Sequence, residues 1–342
     1  MENKRRQFLK LSGLGFLGIA GGGSLKGFST PATIPPPDGN EVLSSANTDA
    51  MDKQVFTEGS LNIIGPYGAW ASSLNKNKLP AYSFRKKEWD QLGTWKKAAK
   101  KRATERMAIP AIGGLPKVTT LKQYEYDGLH IEELSWQLPY GRATEALLLK
   151  PLHAKGPLPA ILAFHDHGGN KYFGTKKITQ TNDQQHPLMK AHQQEYYEGF
   201  AWANEIAKLG YAVLVADAFT FASRKVMLAD VPEHLRKGLN ADAAETPDNI
   251  HAYTQWAGEH EHIMAKSLFS AGTTWPGVFF AEDKIALDVL CSREEVDANR
   301  IGCAGLSGGG LRTVFMAGLD PRIKCAVCVG FMTTWKDFVL HK

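Results

Sequence analysis

Arg300-Ile301-Gly302-Cys303-Ala304-Gly305-Leu306-Ser307-Gly308-Gly309 is the stretch whose reading decides the fold. An apolar run leads into the pattern G-x-S-x-G at Gly305 to Gly309, and a helical segment from Leu311 to Leu319 follows it. That strand–turn–helix context is the one in which a serine sits at the tip of a sharp, strained turn. Such a turn tolerates only small neighbours, and here they are Gly305, Gly308 and Gly309. On this reading Ser307 is the candidate nucleophile. The backbone N–H of Gly308, the residue after it, is the first candidate donor to a developing oxyanion. The bland alternative for Ser307 is a small residue filling a tight turn.

Outward from the elbow, strands and helices alternate. Val118 onward reads as strands, with Thr119 to Tyr126, His130 to Leu138 and Ala143 to Lys150 showing the two-residue alternation. Leu134, Trp136 and Leu138 fall on one face. Ala160 to Phe164 and Tyr211 to Ala216 are continuous apolar runs, as strands buried on both faces are. Helices are expected over Tyr196 to Leu209 and Trp275 to Cys291, and a further strand over Ile323 to Val329. This alternation predicts an α/β fold: a mostly parallel sheet with helices on both faces. Residues 224–274 form a polar stretch with helical fragments at Val231 to Leu239 and Ile250 to Leu268. They are expected to be either a cap insertion or a surface excursion.

The 342 residues allow one large domain plus an extension, and 43% apolar with 22% charged residues is ordinary for a globular chain. The formal charge of +5 is concentrated at the start. Lys4, Arg5, Arg6, Lys10 and Lys26 against Glu2 give residues 1–30 a net of +4 and leave +1 for the rest, so nothing supports a nucleic-acid partner. Behind that basic start, Leu11 to Gly23 is apolar but short and glycine-rich for a membrane span. Arg5-Arg6-Gln7-Phe8-Leu9-Lys10 resembles a twin-arginine signal, which implies the twin-arginine export machinery as a partner and a periplasmic or extracellular destination. An ordinary secretory signal and an uncleaved membrane anchor are the alternatives. Residues 31–50, with Pro31, Pro35, Pro36 and Pro37, read as a linker. Residues 51–115 read as a helical N-terminal extension, clearest at Lys86 to Met107, and residues 116–342 as the core. Lys96, Lys97, Lys100, Lys101 and Arg102 lie off that helix's apolar stripe, as a solvated face would. Cys325 and Cys328, on opposite faces of a strand, read as small core residues rather than a redox pair.

Taken together, Phe164-His165-Asp166-His167-Gly168-Gly169 after an apolar strand, Asp217 closing the next, the Ser307 elbow and Asp320-Pro321-Arg322-Ile323 resemble the α/β-hydrolase superfamily. The likeness is to its dienelactone-hydrolase and acetyl-xylan-esterase branch, and it covers about residues 118 to 342. The resemblance implies a serine ester hydrolase acting on a small or polysaccharide-linked ester. It also implies a second oxyanion donor at the His167 backbone N–H, with Gly168 and Gly169 supporting the loop. A serine peptidase of the same fold is one rival, and a non-catalytic pseudo-hydrolase or inactive fragment is the other. No cofactor is implied, since no dinucleotide fingerprint or phosphate loop precedes a helix. His165-Asp166-His167 and His260-Glu261-His262 invite a metal reading, but no third ligand is identifiable for either, and no metal site is assigned.

The same resemblance leaves part of the machinery unaccounted for. The chain order in α/β-hydrolases is Ser, then acid, then His. The sequence after Ile323 to Val329 is too short for two more strands, so the expectation is a C-terminally truncated sheet lacking its last two strands. Downstream of Ser307 the only histidine is His341, and the acids are Asp320 and Asp337. Asp320 sits in a turn, His341 at the penultimate position. Asp337 is the candidate acid, because glucuronoyl esterases take their acid after this earlier strand.

Overall fold

The computed structural model describes residues 62–74, 79–334 and 338. They fall into two compact units, one holding Gln91–Phe331 and the other the described residues up to Asp90 and from Met332. The smaller unit contributes a short helix, α1 (Gly68–Ser73), and a run of turns over 79–90 in which Tyr82 stacks on Trp89. The expected signal over 1–30, the linker over 31–50, and Asp337 and His341 all lie outside the described residues. No described helix is long and apolar enough to cross a membrane.

The larger unit is built on one seven-stranded sheet: β1 (Val118–Tyr126), β2 (Leu129–Trp136), β3 (Thr144–Pro151), β4 (Leu158–Phe164), β5 (Ala212–Ala216), β6 (Val296–Leu306) and β7 (Ile323–Val329). Their order across the sheet is β1-β2-β3-β5-β4-β6-β7. The first three strands are antiparallel, and β3 joins β5 antiparallel, while β5, β4, β6 and β7 run parallel. Asp127 and Gly128, both at positive φ, make the two-residue turn that the right-handed twist of a hairpin favours.

Two-residue alternation along the central strands sends side chains into two cores. On one face Leu134, Trp136, Leu148, Leu162 and Leu214 pack with Ile285 and Leu290 of α7 (Trp275–Cys291) and Met316 of α8 (Gly308–Leu319). On the other, Ile131, Leu147, Leu149, Val213 and Val215 pack with Ala203 and Ala207 of α4 (Trp202–Lys208). All five residues of β5 are buried, which is why its sequence shows no polar alternation. The expected α/β architecture is therefore the one observed, with helices on both faces of a mixed sheet that is parallel over β5, β4, β6 and β7.

Several boundaries differ from the sequence reading. Lys86 to Met107 is helical only over α2 (Leu92–Met107), and its basic residues are mostly exposed, although Lys100 Nζ donates to the Leu319 carbonyl that ends α8. The helix expected over Tyr196 to Leu209 is two helices. The first, α3 (Pro187–Tyr197), is stopped by Glu198 and Gly199, both left-handed, with the Gly199 N–H returning to the Gln193 carbonyl. Val231 to Leu239 is only a single 3₁₀ turn, cut short by positive φ at Lys237 and Gly238. Ile250 to Leu268 is two helices, α5 (Pro247–Glu259) and α6 (Glu261–Ser270), hinged at His260. Cys325 is exposed and Cys328 half-buried, so the expectation of buried core cysteines fails there; β7 ends the strand order among the described residues, and Lys324 to Val327 are exposed along it.

Leu214 stands at the centre of the sheet, opposite Leu148 and Leu162 in register and 1% exposed. Leu214→Ala should therefore cost about 3 kcal/mol of stability, as large-to-small changes at well-packed sites do. Urea denaturation checks this, and a loss well under 1 kcal/mol would mean the core there is not close-packed.

Candidate active site

The turn between β6 and α8 puts Ser307 at φ +53°, ψ −115°, a conformation a non-glycine residue holds only when its surroundings impose it. Those surroundings are backbone. A Cβ on Gly309 would lie 2.4 Å from the Phe164 carbonyl oxygen, and one on Gly305 would lie 2.5 Å from Gly309 itself. Any side chain at either position would push the first turn of α8 off the end of β4. The Ser307 N–H donates to the Val329 carbonyl (2.9 Å), and the Ser307 carbonyl accepts from the Leu311 N–H (3.0 Å). Ser307 is thus tied to β7 and to α8 at once. The Gly308 N–H opens the helix, where no intrahelical acceptor exists for it.

The loop after β4 comes up against this turn. A Cβ on Gly308 would lie 3.1 Å from the His167 backbone nitrogen and 3.2 Å from the His167 Cβ. The structure therefore brings Ser307, Gly308 and His167 together, with Gly168 and Gly169 following at positive φ.

His165 and His167 have different surroundings. The buried His165 ring accepts from the Ala218 N–H at Nε2 (3.1 Å), which leaves the proton on Nδ1, 2.9 Å from the Asp166 carbonyl oxygen. Burial, with Lys177 and Arg312 nearby, holds its pKa well below the usual imidazole value, so the ring is neutral. The His167 ring is half-exposed. Its Nδ1 accepts from the Gly169 N–H (3.1 Å), so Nε2 carries the proton and donates to Glu261 Oε1 (2.5 Å). Both nitrogens of each ring are engaged, and neither is free to take a proton from Ser307.

Sequence reasoning missed the groups that shape this loop. Lys177, fully buried, donates to the carbonyls of Asp166 (3.0 Å) and His167 (2.7 Å). Asp166 is buried beside it, accepting from His192 Nε2 (3.1 Å) and the Tyr197 hydroxyl (2.6 Å). Burial raises the Asp166 pKa, but Lys177, His192 and Tyr197 outweigh that and keep it a carboxylate. Asp217, closing β5, accepts from the backbone N–H groups of Thr175 (2.8 Å) and Ser223 (3.1 Å), and so fixes the turn that carries Lys177. Lys171, 1% exposed, forms an ion pair with Glu261 (2.5 Å) and lies over the rings of Phe221 (4.0 Å) and Trp275 (4.6 Å). In sequence these are ordinary loop lysines and acids. In the structure a Cβ on Gly174 would strike the Asp217 carboxylate, so the close approach there requires glycine.

Beneath the elbow, Arg312 of α8 makes a two-pronged pair with Asp283 of α7, both buried, and its guanidinium lies over the Phe164 ring (4.5 Å). To one side of Gly168 and Gly169 opens a cleft of about 610 Å³ walled by α3 and α5, with His192, Tyr196, Ile250 and Gln255 among its lining.

Comparison with known proteins bears on the fold. No protein-family model matches the chain. Over 236 residues, 68% of the chain, it is 28% identical to the Bacillus subtilis (strain 168) protein named "Putative hydrolase YtaP". Among solved structures it superposes on a "putative acetyl xylan esterase" from Bacteroides fragilis NCTC 9343 with a TM-score of 0.58 and 19% identity, over 79% of the chain. The chain has the α/β-hydrolase fold. It spans 64% of the length of YtaP and 62% of the Bacteroides chain.

The Glu261 contacts make a testable statement about acid. Burial opposes its ionisation, but His167 and Lys171 bring its pKa down to about 2. A depressed carboxylate contributes stability that is full above its unfolded pKa, near 4.5, and disappears as pH falls through about 2. Glu261→Gln should therefore flatten the fall in stability across that window, read from urea midpoints at successive pH values. Equal slopes in both proteins would show that the His167–Glu261–Lys171 contacts carry no linkage.

Proposed function

We propose that the protein is a serine hydrolase of carboxylic esters, with Ser307 as nucleophile and the backbone N–H groups of Gly308 and His167 as the oxyanion hole. The observation that carries this reading is Ser307 itself, held at positive φ on the strand-to-helix turn with the His167 nitrogen packed against Gly308. A serine on such an elbow presents its Oγ away from the sheet, and in this reading the two N–H groups beside it are the dipoles that meet the negative charge of a tetrahedral intermediate. Fixed donors of this kind need no reorganisation as the charge forms, and each is worth about 3 kcal/mol of transition-state stabilisation. The similarity to YtaP and the fold shared with the Bacteroides protein support the class.

The acyl group we favour is acetate, on a polysaccharide-linked alcohol. The acid of the triad is assigned to Asp337, and the 224–274 segment to a cap, since its Glu261 reaches the oxyanion loop. The basic, twin-arginine-type start supports export, with an uncleaved signal as a further means of membrane attachment.

Ser307→Ala tests the assignment. The variant should keep its fold by circular dichroism and lose at least about 10³-fold in kcat on p-nitrophenyl acetate and on acetylated xylan, with no covalent labelling by a fluorophosphonate. Turnover that survives the substitution would remove Ser307 from the mechanism. Cleavage of the chromogenic ester but not of acetylated xylan would leave the nucleophile in place and reject the polysaccharide.

A further inference from the structure

Lys177 is a lysine with no solvent exposure, and the role proposed for Ser307 does not use it directly. Its two closest partners are the successive backbone carbonyls of Asp166 and His167. A trans peptide carries its C=O and N–H on opposite sides. Fixing the Asp166 carbonyl on Lys177 therefore turns the His167 N–H away from the lysine, and fixing the His167 carbonyl does the same for the Gly168 N–H. The face so exposed is the one packed against Gly308. An ammonium bound at the oxygen end of a peptide also polarises it, which strengthens the N–H at the other end as a donor.

We propose that Lys177 is a positioning residue for ester hydrolysis, orienting and polarising the His167 N–H through the Asp166–His167 peptide. The inference rests on the reading of Ser307 and His167 given above and adds to it the group that sets the donor's direction and strength.

The surroundings of Lys177 look built to hold a charged amine at this point. The Asp166 carboxylate lies 3.9 Å away and the Phe221 ring centroid 4.6 Å away. Asp217 acts on it from the end of β5, Lys171 opposes it from the same loop, and the neutral His165 ring lies alongside. Asp217 does more than offset charge. By accepting from the Thr175 N–H it holds in place the 3₁₀ turn Thr175–Lys177 from which the lysine side chain starts. The turn is fastened on its other side by Gln193 of α3, which donates to the carbonyls of Lys176 (3.3 Å) and Thr179 (3.2 Å).

Burial, with Lys171 adding to it against Asp166 and Asp217, brings the Lys177 pKa down to about 8. The folded state then binds fewer protons than the unfolded chain between about pH 8 and the usual lysine value near 10.4, and in that range the amine in the folded protein is neutral. Hydrolysis should weaken as pH rises through about 8, on a limb distinct from the acid limb that a catalytic base produces.

The test is kcat and KM for p-nitrophenyl acetate across about pH 6 to 10, in the full-length protein, Lys177→Met and Ser307→Ala, with a protein-free blank at each pH subtracting spontaneous hydrolysis. Folding is checked by circular dichroism and thermal melts. The expected result is a loss of about 10²-fold in kcat for Lys177→Met with KM changed little, and no alkaline limb in that variant. A folded Lys177→Met with wild-type kcat, or with the alkaline limb intact, overturns the inference. Should the variant fail to fold, the wild-type profile decides: a limb near pH 8 supports the role, and a flat kcat to pH 10 overturns it. Activity surviving in Ser307→Ala would instead reject the nucleophile, and with it the reading on which this one stands.

Discussion

A buried ammonium stays charged only if its protons are answered, and the loop after β4 is shaped by how Lys177 meets that demand. Two of its acceptors are main-chain carbonyls at a point where the chain has left the sheet ladder, and each has a second donor, His165 Nδ1 for Asp166 and the Asn170 N–H for His167. The consequence reaches in both directions along the chain. Asp217 at the end of β5 must hold the turn that presents the amine, and the Asp166 carboxylate must stay ionised beside it, which His192 and Tyr197 secure. The carboxyl ends of β4 and β5 are thereby fixed to one another at the place where open α/β sheets bind their ligands.

The elbow is held by a different kind of constraint. Around Ser307 the contacts are backbone on backbone, and the space left over is too small for a methyl group at Gly305 or Gly309. α8 is then anchored at its base by the Arg312–Asp283 pair. Burial pushes the Asp283 carboxyl up, against the pull of Arg312, and removing either partner would leave a lone buried charge, a loss of roughly 3–5 kcal/mol in comparable cases. The strained serine is thus supported by close packing from β4, a hydrogen bond from β7 and an ion pair from α7. The energy stored in one backbone conformation is spread over three elements.

Much of this was legible in the sequence where one physical rule dominates locally. Strands buried on both faces have to be apolar throughout, and Ala160 to Phe164 and Tyr211 to Ala216 were; a turn with no room for Cβ has to be glycine, and Gly305 and Gly309 are. Rules that compete were less visible. The apolar spacing of Tyr196 to Leu209 is helical on both sides of Gly199, and only the left-handed pair Glu198-Gly199 reveals the break. The Cys325 and Cys328 expectation failed because strand pattern reports which side a residue faces, not whether anything covers that side. The roles of Lys177 and Glu261 were invisible for a deeper reason. Their roles depend on partners 10 and 94 residues away, and a lysine or glutamate in a loop carries no local mark of burial.

His167 shows how one residue can serve a site twice without conflict. A histidine beside a serine elbow invites the assumption that its ring is the base, yet the ring is committed to Gly169 on one side and Glu261 on the other. That commitment is useful to the backbone. With its side chain drawn toward α6, the residue cannot rotate its ring over Gly308, and the His167 nitrogen stays open on the face next to the elbow. Going outward from Ser307 along the bonds, neutral N–H dipoles come first, then Lys177 and, through Glu261, Lys171, then the carboxylates that balance them. A full positive charge in direct contact with the substrate would bind carboxylate products as well as the transition state. In the proposed mechanism the charge, set one peptide back, acts on the developing oxyanion through the His167 N–H dipole, an interaction that catalysis needs to be stronger in the transition state than in the ground state.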